Sequence, residues 1–332
     1  MKRIVIDVFG ADGGAEIIIR GVLKALEDHK NIGFTLVGDE KTIKSIIHAG
    51  YFENSRVSII HTEDYIKPGE NPGAIFGGRD TSSMALALEN LKSDEDAVGM
   101  LSPGSTGALF VGSIFRLGLL GKLKRPALSS SLPRADGKMV CLLDCGANVT
   151  VTPKDLARFA LMGDAYAKII YKLGSPRVSL LSVGREDKKG TDLTLQAFDI
   201  IKELPINFIG NSEGNDLLTG YSDVVVADGF SGNVTLKCSE ASGKIAMGVV
   251  KALSEKYGES SKEIFADILK NLADIFELNA RGGATFLGTK KTLIKMHGAA
   301  VEETVSACVG QLLMLNENAF TEKTAKALEN LS

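Results

Sequence analysis

The feature that most constrains this chain is a recurrence. Short apolar runs end repeatedly in loops that combine glycine with Asp, Asn, Ser or Lys, and most of those loops open into a helical pattern. Residues 223–237, DVVVADGFSGNVTLK, show it in its barest form. A run of valines without polar alternation predicts a strand buried on both faces, which is typical of a parallel sheet under helices. The loop behind it brings Asp228, Ser231 and Asn233 to the mouth of a helix, where Gly229 and Gly232 would let the backbone approach a ligand.

The same order repeats along the chain. Residues 3–8 place Asp7 before F-G-A-D-G-G and a helix through Ile17, Ile18, Val22, Leu23 and Leu26. Strands at 34–37 and 57–60 follow, with a helix over 80–91. Residues 97–101 run into S-P-G-S-T-G-A, where Ser105 and Thr106 can serve as an anion cradle or as an ordinary helix cap. Residues 139–143 close in D-C-G-A-N, carrying Asp144 and Asn148. A run at 178–183 leads to G-R-E-D-K-K-G, and 206–209 ends in G-N-S-E-G-N-D with Asn211 and Glu213. In an open parallel α/β sheet such carboxyl-end loops gather along one edge, so the pattern predicts a single long cleft. The expected fold is a three-layer, mostly parallel, doubly wound α/β domain spanning 1–332, with a helical excursion near 234–278.

That excursion is expected as helices over 235–257 and 261–278. The second carries Ile264, Phe265, Ile268, Leu269, Leu272, Ile275 and Phe276 on one stripe, with Lys262, Glu263, Asp267, Lys270 and Asp274 away from it. Such a stripe packs on a core or on a second subunit. A membrane surface is the alternative, weakened by the mixed charge of the polar face. Residues 281–288 read as another glycine loop, 292–296 as a last strand, and His297-Gly298 as the entry to a final helix from about Glu302.

What is missing narrows the chemistry. The net charge of −3 over 332 residues is spread without blocks, so nothing points to nucleic acid. MKRIVIDVFG reads as a strand and not a signal peptide, and no stretch reaches the roughly 18 apolar residues of a membrane span, so a cytosolic protein is expected. Cys141, Cys145, Cys238 and Cys308 form no C-x-x-C pair and the four histidines are dispersed, which argues for buried thiols and no metal site. The chain has no G-x-x-x-x-G-K-[ST] and no G-x-G-x-x-G, and no histidine is assigned to serve Ser231. His297 beside its glycine reads as structural before it reads as a general base. Glycine N–H groups, hydroxyls and lysines remain. They suit an anionic substrate that brings its own nucleophile, with Lys188 and Lys189 before Gly190 as the best cations.

Taken together, S-P-G-S-T-G-A, R-P-A-L with L-L-D-C-G-A-N-V, L-S-V-G-R-E-D-K-K-G, F-I-G-N-S-E-G-N-D, D-V-V-V-A-D-G-F-S-G-N-V-T-L-K and I-K-M-H-G resemble, in order and spacing, the PlsX-type phosphate acyltransferases of bacterial phospholipid synthesis. The resemblance runs from Ile4 to about Leu313. It implies transfer of a fatty acyl group from acyl carrier protein to inorganic phosphate, giving acyl phosphate without metal or organic cofactor. It further implies a homodimer, a fold like isocitrate and isopropylmalate dehydrogenases, and peripheral contact with the inner membrane face and with the next acyltransferase. On this reading Lys189, with Ser105 and Thr106, holds phosphate. Asn233, or the N–H groups of Gly232 and Asn233, stabilises the oxyanion. Asn211, Glu213 and Asp228 fall behind these or on the pantetheine arm, and Asp7, Asp144, Asn148, Ser231 and His297 complete the expected substrate-binding set. The chain departs from the family pattern at Ala11, Pro103, Ser105 and Thr191. Two other readings compete: a nicotinamide-dependent β-decarboxylating dehydrogenase, disfavoured by the missing fingerprint, and a non-catalytic membrane-docked scaffold resting on the 261–278 helix.

Overall fold

A computed structural model describes residues 1–67, 69–257, 261–276 and 282–331 and shows an α/β fold with a large, mostly parallel array of strands. In chain order the strands are β1 (Arg3–Asp7), β2 (Gly33–Gly38), β3 (Val57–His61), β4 (Ala97–Ser102), β5 (Ala127–Pro133), β6 (Met139–Leu143), β7 (Val178–Leu181), β8 (Phe208–Ser212), β9 (Val224–Val226), β10 (Ala284–Leu287) and β11 (Thr292–Lys295). Contacts divide the chain into two compact units. One is Met1–Ser129 with Lys168–Lys172 and Asn279–Ser332, and the other is Ser130–Ala167 with Leu173–Leu278.

The first unit orders its strands β3-β2-β1-β4-β11-β10. β1 pairs in parallel with β2 on one side and β4 on the other, so the winding reverses between β1 and β4. Ligands bind at such a reversal in doubly wound sheets. β10 is antiparallel to β11 and to the start of β5, and neither β5 nor β10 was expected from the sequence. The core explains why the parallel strands are apolar throughout. Ile4, Ile6, Phe34 and Leu36 are buried with Ile18, Val22, Val305 and Leu312 from the helices Ala15–Asp28 and Glu302–Glu317. Each such side chain contributes about 1.5–3 kcal/mol on burial.

The second unit orders its strands β6-β9-β7-β8, parallel at each pairing. The valines of β9 are fully buried, as their continuous run requires. Asp223 at its entry accepts from Arg134 Nη1 (2.6 Å) and from the Arg177 N–H (2.9 Å) and Nε (3.0 Å). Burial alone would raise this carboxyl, but the hydrogen bonds from Arg177 and Arg134 outweigh it and hold it at about 2.

Two of the boundaries that differ from expectation change how candidate site residues are held. The helix expected from 235 begins at Gly229 and runs to Tyr257, so the stretch read as a contact loop is helical. β8 extends to Ser212, which places Asn211 on a strand. The helix Lys262–Phe276 packs on Gly229–Tyr257, with the Phe276 ring against Gly243 and Tyr257 stacked on Phe265 at 6.1 Å. Its apolar stripe is wider than that neighbour covers: Phe265 and Leu269 are half-buried, whereas Ile264 and Ile268 are exposed. Residues 277–278 of the expected helix, Arg281 of the expected glycine loop, and the side chains of Asp274 and Ile275 lie outside the described residues. No helix among the described residues is long and apolar enough to cross a membrane.

Candidate active site

Within the second unit, the loop after β9 is a helix cap. Asp228 accepts from the N–H groups of Phe230 (3.0 Å) and Ser231 (2.9 Å) and from Ser231 Oγ (2.8 Å). The Gly232 N–H, expected to face an oxyanion, donates instead to the Asp228 carbonyl (2.9 Å), and the Gly229 N–H donates to the Asn148 carbonyl (2.8 Å). The N–H groups of Gly229, Phe230 and Ser231 are among those a helix start leaves open, and all three are engaged; the Gly232 N–H makes the first bond within the helix itself. The glycines have a different role from the one expected. A Cβ on Gly232 would sit 1.9 Å from the Asp144 carbonyl oxygen, and one on Gly229 2.6 Å from that of Asn148, so their bareness lets the helix rest on the D-C-G-A-N turn. That turn is held by Asp144, whose carboxylate accepts from the Asn148 N–H and Nδ2 (both 2.7 Å) and from the Ala147 N–H (3.1 Å). Asp144 and Asn148 are buried in this arrangement. Asn233 stands at the exposed end of the first turn and gives one amide N–H to the Cys145 carbonyl (3.0 Å). A primary amide has a second N–H to offer.

The loop after β7 presents charge. Lys188 and Lys189 are both exposed. The Lys189 backbone is fixed by a turn bond to the Glu186 carbonyl (3.0 Å), and its own carbonyl accepts from Ser182 Oγ (2.9 Å). Asn211 Nδ2, reaching from β8, donates to the Glu186 carbonyl at 2.9 Å and lies 3.4 Å from that of Lys189. Thr191 then caps the helix Asp192–Lys202 through a capping box with Thr194. Asn211 thus anchors the lysine loop. Arg185 joins the same loop to the segment after β8 through Asp216, with its guanidinium over the Tyr221 ring at 4.5 Å. Glu213 begins that segment, its N–H donating to Asp216 Oδ2 (2.9 Å).

In the first unit, three loops meet at the winding reversal. Asp7, 1 % exposed, accepts from Ser102 Oγ (2.8 Å) at Oδ2 and from the Phe9 N–H (3.2 Å) at Oδ1. Ser102 Oγ in turn accepts from the Gly104 N–H (3.0 Å). Burial dominates here and pushes the Asp7 carboxyl up to about 6, against the lowering effect of Ser83, Ser102, the Phe9 N–H and Lys295. Gly10 has φ +104°, and a Cβ there would lie 2.6 Å from Gly104 Cα, so the loops after β1 and β4 touch backbone to backbone. The Met296 N–H donates to the Ser102 carbonyl (2.9 Å) and the Asp12 N–H to the Gly298 carbonyl (2.8 Å), binding in the loop after β11. Ser105 Oγ accepts from the Ala108 N–H (3.4 Å) as a helix cap, and Thr106 follows it, half-buried. His297 is exposed, and its Nδ1 accepts from the Ala299 N–H (3.1 Å), which leaves the proton of a neutral ring on Nε2.

Comparison with known proteins decides the family. A family described as fatty acid synthesis protein matches residues 2–323. The chain is 39% identical over 327 residues to a phosphate acyltransferase of Lacticaseibacillus casei, covering 97% of this chain and 94% of that one. It is 37% identical over 314 residues to a phosphate acyltransferase of Bacillus cereus, covering 93% of each. The chain belongs to the PlsX-type phosphate acyltransferases. Among solved structures it is similar in fold to a phosphotransacetylase from Streptococcus pyogenes, with a TM-score of 0.64, 15% identity and coverage of 99% and 94% of the two chains. A branched-chain phosphotransacylase from Enterococcus faecalis superposes with a TM-score of 0.59 at 14% identity, covering 95% and 99%.

One charged group among these loops that the sequence did not single out is Lys295. It closes β11 inside the quoted I-K-M-H-G, and its Nζ donates to the carbonyls of Pro103 (3.1 Å) and Met296. Burial lowers its pKa to about 8, while the charges of Asp7, Asp12 and Cys308 pull the other way. A lysine at the end of an apolar strand was the available signal. Cys141, Cys145 and Cys308 are buried as expected, with the Cys308 thiol pushed up to about 12 by burial, but Cys238 is exposed. Asp39, His61 and Glu63 bring possible ligand atoms within 4.8 Å of one another. Asp39 already caps the helix Glu40–Ile46 and His61 Nδ1 accepts from the Glu40 N–H (3.1 Å), so two of the three are engaged in local structure.

Proposed function

We propose that this phosphate acyltransferase moves a fatty acyl group from acyl carrier protein to inorganic phosphate, supplying acyl phosphate to glycerophospholipid synthesis. An oxygen of hydrogen phosphate forms a bond to the thioester carbonyl carbon, the carbon–sulfur bond breaks, and the proton given up by phosphate balances the thiolate, so that the carrier leaves as a thiol. The observation that carries this reading is the exposed Lys189 on a loop fastened by Ser182 and Asn211, while Ser231, the one hydroxyl that tempts as a nucleophile, is bonded to a cap aspartate. A reaction whose nucleophile is the substrate needs a placed cation and an oxyanion donor, and no activated serine. In the second unit Lys189 is the proposed cation and the second amide N–H of Asn233 the proposed oxyanion donor; in the first unit Ser105 and Thr106 are the hydroxyls proposed for phosphate.

The residues 1–332 act in this proposal as one acyltransferase domain in a cytoplasmic homodimer with peripheral contact at the inner membrane face. The exposed Ile245, Val249, Ile264 and Ile268 of the helical pair support a surface that is covered in use. The decisive experiment mixes the protein with acyl carrier protein thioester and phosphate and traps acyl phosphate with hydroxylamine. Lys189→Ala is expected to lower kcat/KM for phosphate by about a hundredfold with an unchanged melting temperature. Wild-type turnover in that variant would remove the lysine from the mechanism, and no acyl phosphate from the wild type would end the reading.

A further inference from the structure

Lys295 lies where three loops of the first unit are fastened, and it adds a positive charge to backbone carbonyls there. Its bond to the Pro103 carbonyl crosses from the end of β11 to the loop after β4, two positions before Ser105. The other fasteners hold the root of that loop: Ser102 by Asp7, Gly104 by Ser102, and Ser102 again by Met296. Pro103 is also a departure from the family pattern, and proline has no N–H, so its carbonyl is the backbone group at this position that can be held.

We infer that Lys295 is a positioning residue for phosphate, holding residues 103–106 against the end of β11 so that Ser105 and Thr106 keep fixed places for the anion. This rests on the proposal that those two hydroxyls serve phosphate. The groups facing the ammonium are Asp7 on β1, Asp12 in the loop behind it and Cys308 from the helix Glu302–Glu317. Deprotonation near pH 8 removes the charge from both carbonyl bonds, so phosphate binding weakens as pH rises through that value.

The test measures steady-state kinetics with phosphate and acyl carrier protein thioester varied separately. In Lys295→Met, KM for phosphate is expected to rise about tenfold, with KM for the thioester unchanged and Lys295→Arg partly restoring the loss. In the wild type, KM for phosphate is expected to climb between pH 7.5 and about 9, and in Lys295→Met to stay flat. An unchanged phosphate KM in the folded methionine variant would overturn the inference, as would a rise in thioester KM alone. Should that variant fail to fold, a flat wild-type profile across the same pH range would overturn it equally. Failure of the underlying proposal looks different: Ser105→Ala and Thr106→Val would leave phosphate KM untouched while Lys295→Met still moved it.

Discussion

The loop after β1 and the loop after β9 look alike in sequence, each an apolar strand followed by aspartate and glycine, yet the two aspartates do opposite things. Asp7 points across to the neighbouring strand, bonding Ser102 in near-complete burial. Asp228 turns back on its own chain and caps the helix that follows. The first loop is therefore fastened to other loops, and the second is fastened to itself. A motif that reads as a ligand cradle becomes one only if its donors are left over after the local structure is satisfied, and at Gly229–Tyr257 they are not.

Three measurements probe this contrast. The largest effect is expected from Gly232→Ala, whose Cβ would meet the Asp144 carbonyl oxygen at 1.9 Å; it should cost about 3 kcal/mol or more in urea denaturation. Gly248→Ala, with nothing within 4 Å on the same helix, should instead gain about 0.5–1 kcal/mol. A tolerant Gly232 would mean the helix start is not seated on the D-C-G-A-N turn.

Next comes the buried carboxyl of the first unit. Its folded pKa of about 6 lies above the ordinary 3.8, so the folded state binds the extra proton between those values. Stability should fall as pH rises from about 4 to about 6 and stay lower above, by about 3 kcal/mol in full. Asp7→Asn is expected to flatten that limb of the stability profile. Asp223 gives the opposite sign: held at about 2, it contributes stability above the usual carboxylate range that is lost as pH falls through 2. An unaltered profile in Asp7→Asn would show that the carboxyl is not protonated where the fold places it. The smallest effect is expected from Asp228→Ala, about 1 kcal/mol of lost capping seen as a lower Tm, with Asp228→Asn milder.

The parallel strands and their helices were legible because burial on both faces writes itself as unbroken apolar runs. β5 and β10 were not. β5 is A-L-S-S-S-L-P, and its Ser129 hydroxyl finds the Thr285 carbonyl (3.2 Å), a partner invisible to any local pattern. β10 hides behind Gly282 and Gly283, where a Cβ on Gly283 would collide with the Lys295 carbonyl oxygen at 2.7 Å. The chemistry-bearing residues were legible as types and less so as roles. Nothing near Asn211 in sequence says that it reaches back 25 residues to Glu186, and nothing near Lys295 points to Pro103. Such pairings depend on which strands lie side by side, and strand order does not follow from periodicity.

The attachment of Asn211 to the loop after β7 has one more consequence. It grips carbonyl oxygens, which every amino acid carries, and ignores the side chains of Glu186 and Lys189. This hold on the loop is thus insured against changes in the loop's own spelling: substitutions at Glu186 or Asp187 leave the gripped carbonyls in place, and with them the point from which the lysine reaches out.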